Sequence, residues 1–173
     1  MKSATINEIK KELKTRDPGE VMDLCARLMR YKKENKELLT YLLFESEDES
    51  AFIQGIKEEM DGQFSEMNIS NLYLAKKSIR KVLRTINKYI RFSGNPETET
   101  DLRIYFCYKI QSLEIDIPKS GALFNLYQMQ LKKIGIAISK MHEDLQYDYR
   151  KKVEKIWTEY QDIQISIIQK LQL

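Results

Sequence analysis

The residues best able to do chemistry in this chain are seven cations in one stretch: Lys76, Lys77, Arg80, Lys81, Arg84, Lys88 and Arg91. No Asp or Glu occurs between residues 67 and 96. Placed at 100° per residue, the seven fall within roughly a 140° arc of a helix. Leu72, Ala75, Ile79, Val82, Leu83, Ile86, Tyr89 and Ile90 fill the opposite side. Over residues 72–92 this predicts a continuous cationic face ~30 Å long. Lysines meet phosphate as point charges, arginines fork onto two oxygens, and Tyr73 lies on the same side, where it can stack on a base. Nucleic-acid phosphates are one partner that the pattern fits, and an acidic protein surface is another. A further reading needs no partner. Residues 45–66 carry eight acidic groups against one basic, so Glu58, Glu59, Asp61 and Glu66 on an antiparallel neighbour would neutralise part of the face. A membrane surface ranks lower, because the apolar side of the helix is needed for the core.

The other chemistry-bearing residues are sparse. His142 is the single histidine, followed by Glu143, Asp144 and, further on, Asp148. Adjacent positions on a helix point in different directions, and a metal site has no second histidine to recruit, so this cluster reads as a helix-terminus feature. Cys25 and Cys107 are too far apart in sequence for short-spaced zinc ligation and read as free, buried thiols. The six glycines, at 19, 55, 62, 94, 121 and 135, never cluster into a phosphate-cradling loop. None of the common hydrolase, metalloprotease or nucleotide-binding motifs occurs. Catalytic residues, metal ligands and cofactors are therefore not predicted.

The elements that must position the cationic face follow from apolar spacing. Thr5 and Glu8 have capping-box spacing before a helix over about 5–15, and Asp17-Pro18-Gly19-Glu20 starts a second that ends near Tyr31. A third carries Leu38, Leu39, Tyr41, Leu42, Leu43 and Phe44, apolar on nearly every side, which predicts a central helix. Phe52, Ile56, Met60, Phe64 and Met67 mark a fourth helix, and the basic segment, stopping before Ser93-Gly94-Asn95-Pro96, is the fifth. A sixth runs over about 98–114 with Leu102, Tyr105, Phe106, Ile110 and Leu113 inward, and Asp116-Ile117-Pro118 must be non-helical. Two seams of alternating four and three spacing follow, Tyr127 to Leu145 and Tyr149 to Ile167, with a break expected between about 142 and 148. The ten tyrosines lie mostly on inward stripes and read as core residues with wet hydroxyls.

With 173 residues, 42% apolar and 32% charged, the chain suits one core, and its six Gly and three Pro disfavour loop-rich β folds. The expectation is an all-α single domain, 1–173, of about eight helices in antiparallel hairpins with two long C-terminal helices. No window approaches a membrane span and the opening residues lack a signal peptide's apolar run, so a cytoplasmic location is expected. The stretch 161–173, with Ile163, Ile165, Ile167, Ile168, Leu171 and Leu173 against two charges, suits burial or self-association.

Residues 20–45, including Leu24-Cys25-Ala26-Arg27-Leu28 and Lys33-Glu34-Asn35-Lys36-Glu37-Leu38-Leu39, resemble the opening of a family of uncharacterised all-helical bacterial proteins. That resemblance covers about a sixth of the chain and implies an all-helical fold and no activity. The helix pairs are also similar to HEAT-like repeats, among them those of helical DNA-repair proteins that grip phosphates with basic residues. This second likeness is architectural. The first expectation for function is a non-enzymatic helical interaction module. Its alternative is phosphate-backbone binding through the 72–92 face.

Overall fold

The computed structural model describes residues 2–113, 115–154 and Thr158, and within them every regular element is helical. The chain divides into two compact units, Met1–Ser46 and Glu47–Leu173.

In the first unit, α1 (Ile6–Leu13) begins at the Thr5/Glu8 capping box, and α2 (Pro18–Tyr31) begins at a second box formed by Asp17 and Glu20. Arg16 bridges the end of α1 and the start of α2, 2.6 Å from Glu12 and 3.5 Å from Glu20. Lys32 is extended (φ −143°) and breaks the chain before α3 (Lys33–Thr40), while the Asn35 amide donates to the Leu28 carbonyl at 2.8 Å and so satisfies the end of α2. From α3 the chain widens into a π turn over Tyr41–Glu45.

The expectation of a central third helix fails here. No residue of α1, α2 or α3 is buried, and Leu42, Leu43 and Phe44 are 52%, 62% and 79% exposed. Of this apolar cluster Tyr41 is buried, and Leu38 and Leu39 are half-buried. An all-round apolar pattern reports a demand for cover, and a unit this small has too few neighbouring elements to meet it.

The second unit holds the core. Its helices are α4 (Glu49–Ser65), α5 (Leu72–Ser93), α6 (Pro96–Gln111), α7 (Gly121–Ile138) and a last described run, α8 (143–154). A short 3-10 turn over Ile117–Lys119 stands where a non-helical stretch was expected, because a proline in a first turn has no N–H to satisfy. Side-chain oxygens of Asp48, Asn71, Asn95 and Ser120 accept from the first free N–H groups of α4 to α7, so each start is fixed by its own cap. Gly94 ends α5 at φ 66°, the left-handed conformation that glycine adopts without penalty. Glu49 and Phe52 at the start of α4 meet Ser93 and Tyr89 at the end of α5, so this pair is antiparallel. Glu49 also meets Thr98, and Asp61 meets Tyr105, which sets α6 parallel to α4.

Ile56, Met60, Ala75, Ile79, Val82, Ile86, Leu102, Phe106, Ile110, Tyr127 and Ile134 are at most 3% exposed and form the centre of this unit. The α7–α8 break falls at residues 139–142, where Lys140 and Met141 bond back three residues to Ala137 and Ile138. That is slightly earlier than the seam spacing predicts. Tyr149 and Val153 of the second seam are buried, whereas Ile156, Tyr160, Ile163 and Ile167 and the expected self-association stretch 161–173 lie outside the described residues.

One buried polar cluster braces α6 against α7. Arg103, 4% exposed, holds Glu99 at 2.8 Å through two nitrogens and donates to the Gln130 oxygen at 2.7 Å. The guanidinium is therefore paired and hydrogen-bonded where it has left water.

Candidate functional site

α5 positions the cationic face because its other side is fully committed. Ala75, Ile79, Val82, Ile86 and Ile90 are 0% to 9% exposed, which leaves the helix no freedom to rotate about its axis. Lys77, Arg80, Lys81 and Arg84 are consequently exposed, Lys76 is half-buried, and Tyr73, 72% exposed, stands at the N-terminal end of the same face. Tyr73, Lys76, Lys77, Arg80 and Arg84 line an open groove of ≈ 640 Å³ together with Leu83 and Asn87. Leu83 and Asn87 were not read as site residues in the sequence. Their signal was positional: Asn87 is one turn beyond Leu83, on the flank next to Arg80 and Arg84.

Internal neutralisation is not observed for the N-terminal part of this face. Among the described residues, Lys76, Lys77, Arg80, Lys81 and Arg84 have no carboxylate within 4.0 Å. The acidic side chains of α4 are turned to other tasks. Glu58 accepts from Gln54 at 3.1 Å, and Glu59 accepts from Gln63 at 2.9 Å and from the Tyr89 hydroxyl at 2.8 Å. Asp61 accepts from the Tyr105 hydroxyl at 2.7 Å and pairs with Lys109 at 2.9 Å. The Tyr105 and Lys109 hydrogen bonds hold the Asp61 carboxyl below its usual value, so it stays ionised and committed to α6. Tyr105 is pushed up to about 12, first by burial and then by the same Asp61 bond.

The C-terminal end of the predicted set is different. The Lys88 ammonium sits 4.3 Å from the Tyr89 ring centre and 5.9 Å from that of Phe92, so its charge is partly engaged by π faces. Arg91 is exposed but also engaged. The structure thus divides the seven predicted cations into five without an ionic partner among the described residues, over 76–84, and two that are occupied.

The remaining candidates hold no comparable site. His142 lies 3.3 Å from Asp144 with both side chains largely in water, and the described residues contain no cluster of three metal-ligating side chains. Cys107 is fully buried and its thiol is pushed up by that burial, which suppresses the thiolate. Cys25, expected to be buried, is half-exposed. The tyrosines also divide: the Tyr149 hydroxyl donates to Asp101 at 2.9 Å from a buried ring, whereas Tyr31, Tyr108 and Tyr147 are exposed rather than inward, and Tyr73 is exposed as its place on the cationic face implies. No described helix is long and apolar enough to cross a membrane. No protein-family model, curated protein or solved structure matches the chain.

Proposed function

We propose that this chain is a non-enzymatic helical interaction module that docks on the phosphate backbone of nucleic acid through α5. The observation that carries the reading is the set of five cations over 76–84 with no carboxylate partner among the described residues, four of them lining one groove with Tyr73. Cations recur in two rows on this face, 76/80/84 and 77/81, each stepping about 6 Å along the helix, a spacing suited to a linear polyanion. Protein-binding sites concentrate their energy in buried aromatic or aliphatic anchors, and the only apolar side chains that line this groove are Leu83 and Tyr73, the latter 72% exposed. That contrast favours phosphates over an acidic protein surface. Tyr73 supplies a stacking face that an unpaired base can use and a paired base cannot, so single strands are preferred. Sequence preference is weak, because phosphate contacts position a protein without reading bases.

The test is binding of the full chain to dye-labelled single-stranded and duplex RNA and DNA, with an acidic polypeptide as competitor. The triple change Lys77→Glu, Lys81→Glu and Arg84→Glu abolishes binding while the melting temperature holds, and Tyr73→Ala narrows the gap between single strand and duplex. Displacement of the oligonucleotide by the acidic polypeptide at equal charge would favour a protein partner instead. A triple variant that unfolds would assign these charges a structural role.

A further inference from the structure

We infer that α2 pairs in antiparallel fashion with α2 of a second copy of this chain. Val21, Leu24, Leu28 and Tyr31 follow one another at spacings of three, four and three, the interval of a two-helix seam. They occupy about an 80° arc of the helix. Leu24, Leu28 and Tyr31 are 43%, 58% and 77% exposed, and no residue of α2 is buried. The apolar side of α2 is wider than the seam: Cys25 and Met29, with Leu28 at the boundary, line a small groove with Leu38, Leu39 and Leu42, Val21 is half-buried, and Leu24 and Tyr31 lie outside that groove. Such a seam in water calls for an occupant.

The charges beside the seam select the occupant. Glu20 and Arg27 are seven residues apart, hence on the same flank, and both are exposed. Arg27 has no ionic partner among the described residues, and Glu20 has only Arg16 at 3.5 Å. A two-fold axis close to Leu24 sets Glu20 of one copy against Arg27 of the other, and the symmetry makes this contact twice. The rest of α2 obeys the same polarity, with the N-cap Asp17 and Asp23 at its acidic first half and Arg30 in its basic second half. Antiparallel pairing brings the same flank of the two copies together, superposes unlike halves and opposes the helix dipoles, whereas parallel pairing puts Glu20 and Arg27 of the two copies on opposite sides of the seam. A foreign helix of one charge sign would suit only one half of α2. The surface is self-complementary, which is the requirement of a two-fold contact. Because α2 is only ~21 Å long, the association is concentration-dependent rather than permanent.

This proposal is independent of the polyanion reading, since α2 and α5 lie in different compact units. Sedimentation of the full chain over a range of concentrations tests it, together with two variants. Arg27→Glu shifts the dimer to monomer, and the double change Glu20→Arg with Arg27→Glu restores it, because the pairs are then inverted but still opposite. Glu20 also serves the α2 cap, so a second measurement stands beside the first. In a Cys25→Ser background, Leu24→Cys lies beside the axis and forms an oxidised dimer on non-reducing gels, whereas Arg30→Cys, on the far side of α2, does not. A chain that stays monomeric at every concentration and gives no Leu24→Cys crosslink overturns the proposal. So does a dimer that ignores Arg27→Glu, since its contact then lies elsewhere.

Discussion

Leu102→Ala removes a side chain that is 0% exposed, in the helix packed against both α4 and α7. Its loss forfeits the full transfer free energy of the deleted atoms and leaves a cavity that close-packed neighbours fill only in part, a cost of about 2–5 kcal/mol. Met129→Ala deletes a side chain of similar size from α7, but that residue is 53% exposed. Half its surface is already in water and no cavity forms, so its cost is about 1 kcal/mol or less. For a unit of this size 1 kcal/mol corresponds to about 3–5 °C in melting temperature. Urea denaturation followed by circular dichroism separates the two variants, with unchanged m-values confirming that only stability has moved. Equal destabilisation by the two changes would refute the placement of α6 at the centre of the second unit.

Alkaline stability is set in part by Tyr105, whose folded-state pKa is raised from 10 to about 12 by burial and by Asp61. A raised pKa contributes stability that is complete below pH 10 and lost between pH 10 and about 12, so Tyr105→Phe weakens the pH dependence of the melting temperature in that window. Gly94→Ala forces an L side chain into φ 66° with no atom in its way, so it costs about 1–2 kcal/mol through backbone strain alone. Gly55→Ala, inside α4 with open space at its Cβ, stabilises by about 0.5–1 kcal/mol, and thermal denaturation of the two variants gives opposite signs. Arg103→Met strands the Glu99 carboxylate and the Gln130 oxygen and destabilises by about 3 kcal/mol, a loss that the double change with Glu99→Leu partly restores in denaturant titrations.

Local signals carried most of the second unit. The capping side chains Asn71 and Asn95 and the Gly94 stop are short-range chemistry, so α5 and α6 could be bounded from a few residues at each end. The fourth-helix stripe of Phe52, Ile56, Met60, Phe64 and Met67 is buried as its spacing implies, because one face of a helix in this unit has a single place to go. Arg103 was illegible. A long cation inside a helix looks like a solvated residue until Gln130, on the next helix, comes within 2.7 Å. The third helix misled for the converse reason: Leu42, Leu43 and Phe44 state a need for cover, and apolar pattern alone does not state where that cover comes from. At the candidate site, the arc of cations was readable from angle arithmetic, but its division was not. Whether Lys88 lies over Tyr89, and whether Asp61 turns to Tyr105 rather than to the basic face, depends on side-chain contacts between helices.

The salt dependence of oligonucleotide binding tests the polyanion reading most directly. With five phosphate contacts on a single strand, log K falls against log salt with a slope of about −3.5, and each cation replaced by alanine over 76–84 reduces that slope by about 0.7. Lys88→Ala, whose ammonium is engaged by aromatic rings, leaves the slope nearly unchanged. A wild-type chain that shows no salt-dependent binding to RNA or DNA at low ionic strength would contradict the reading.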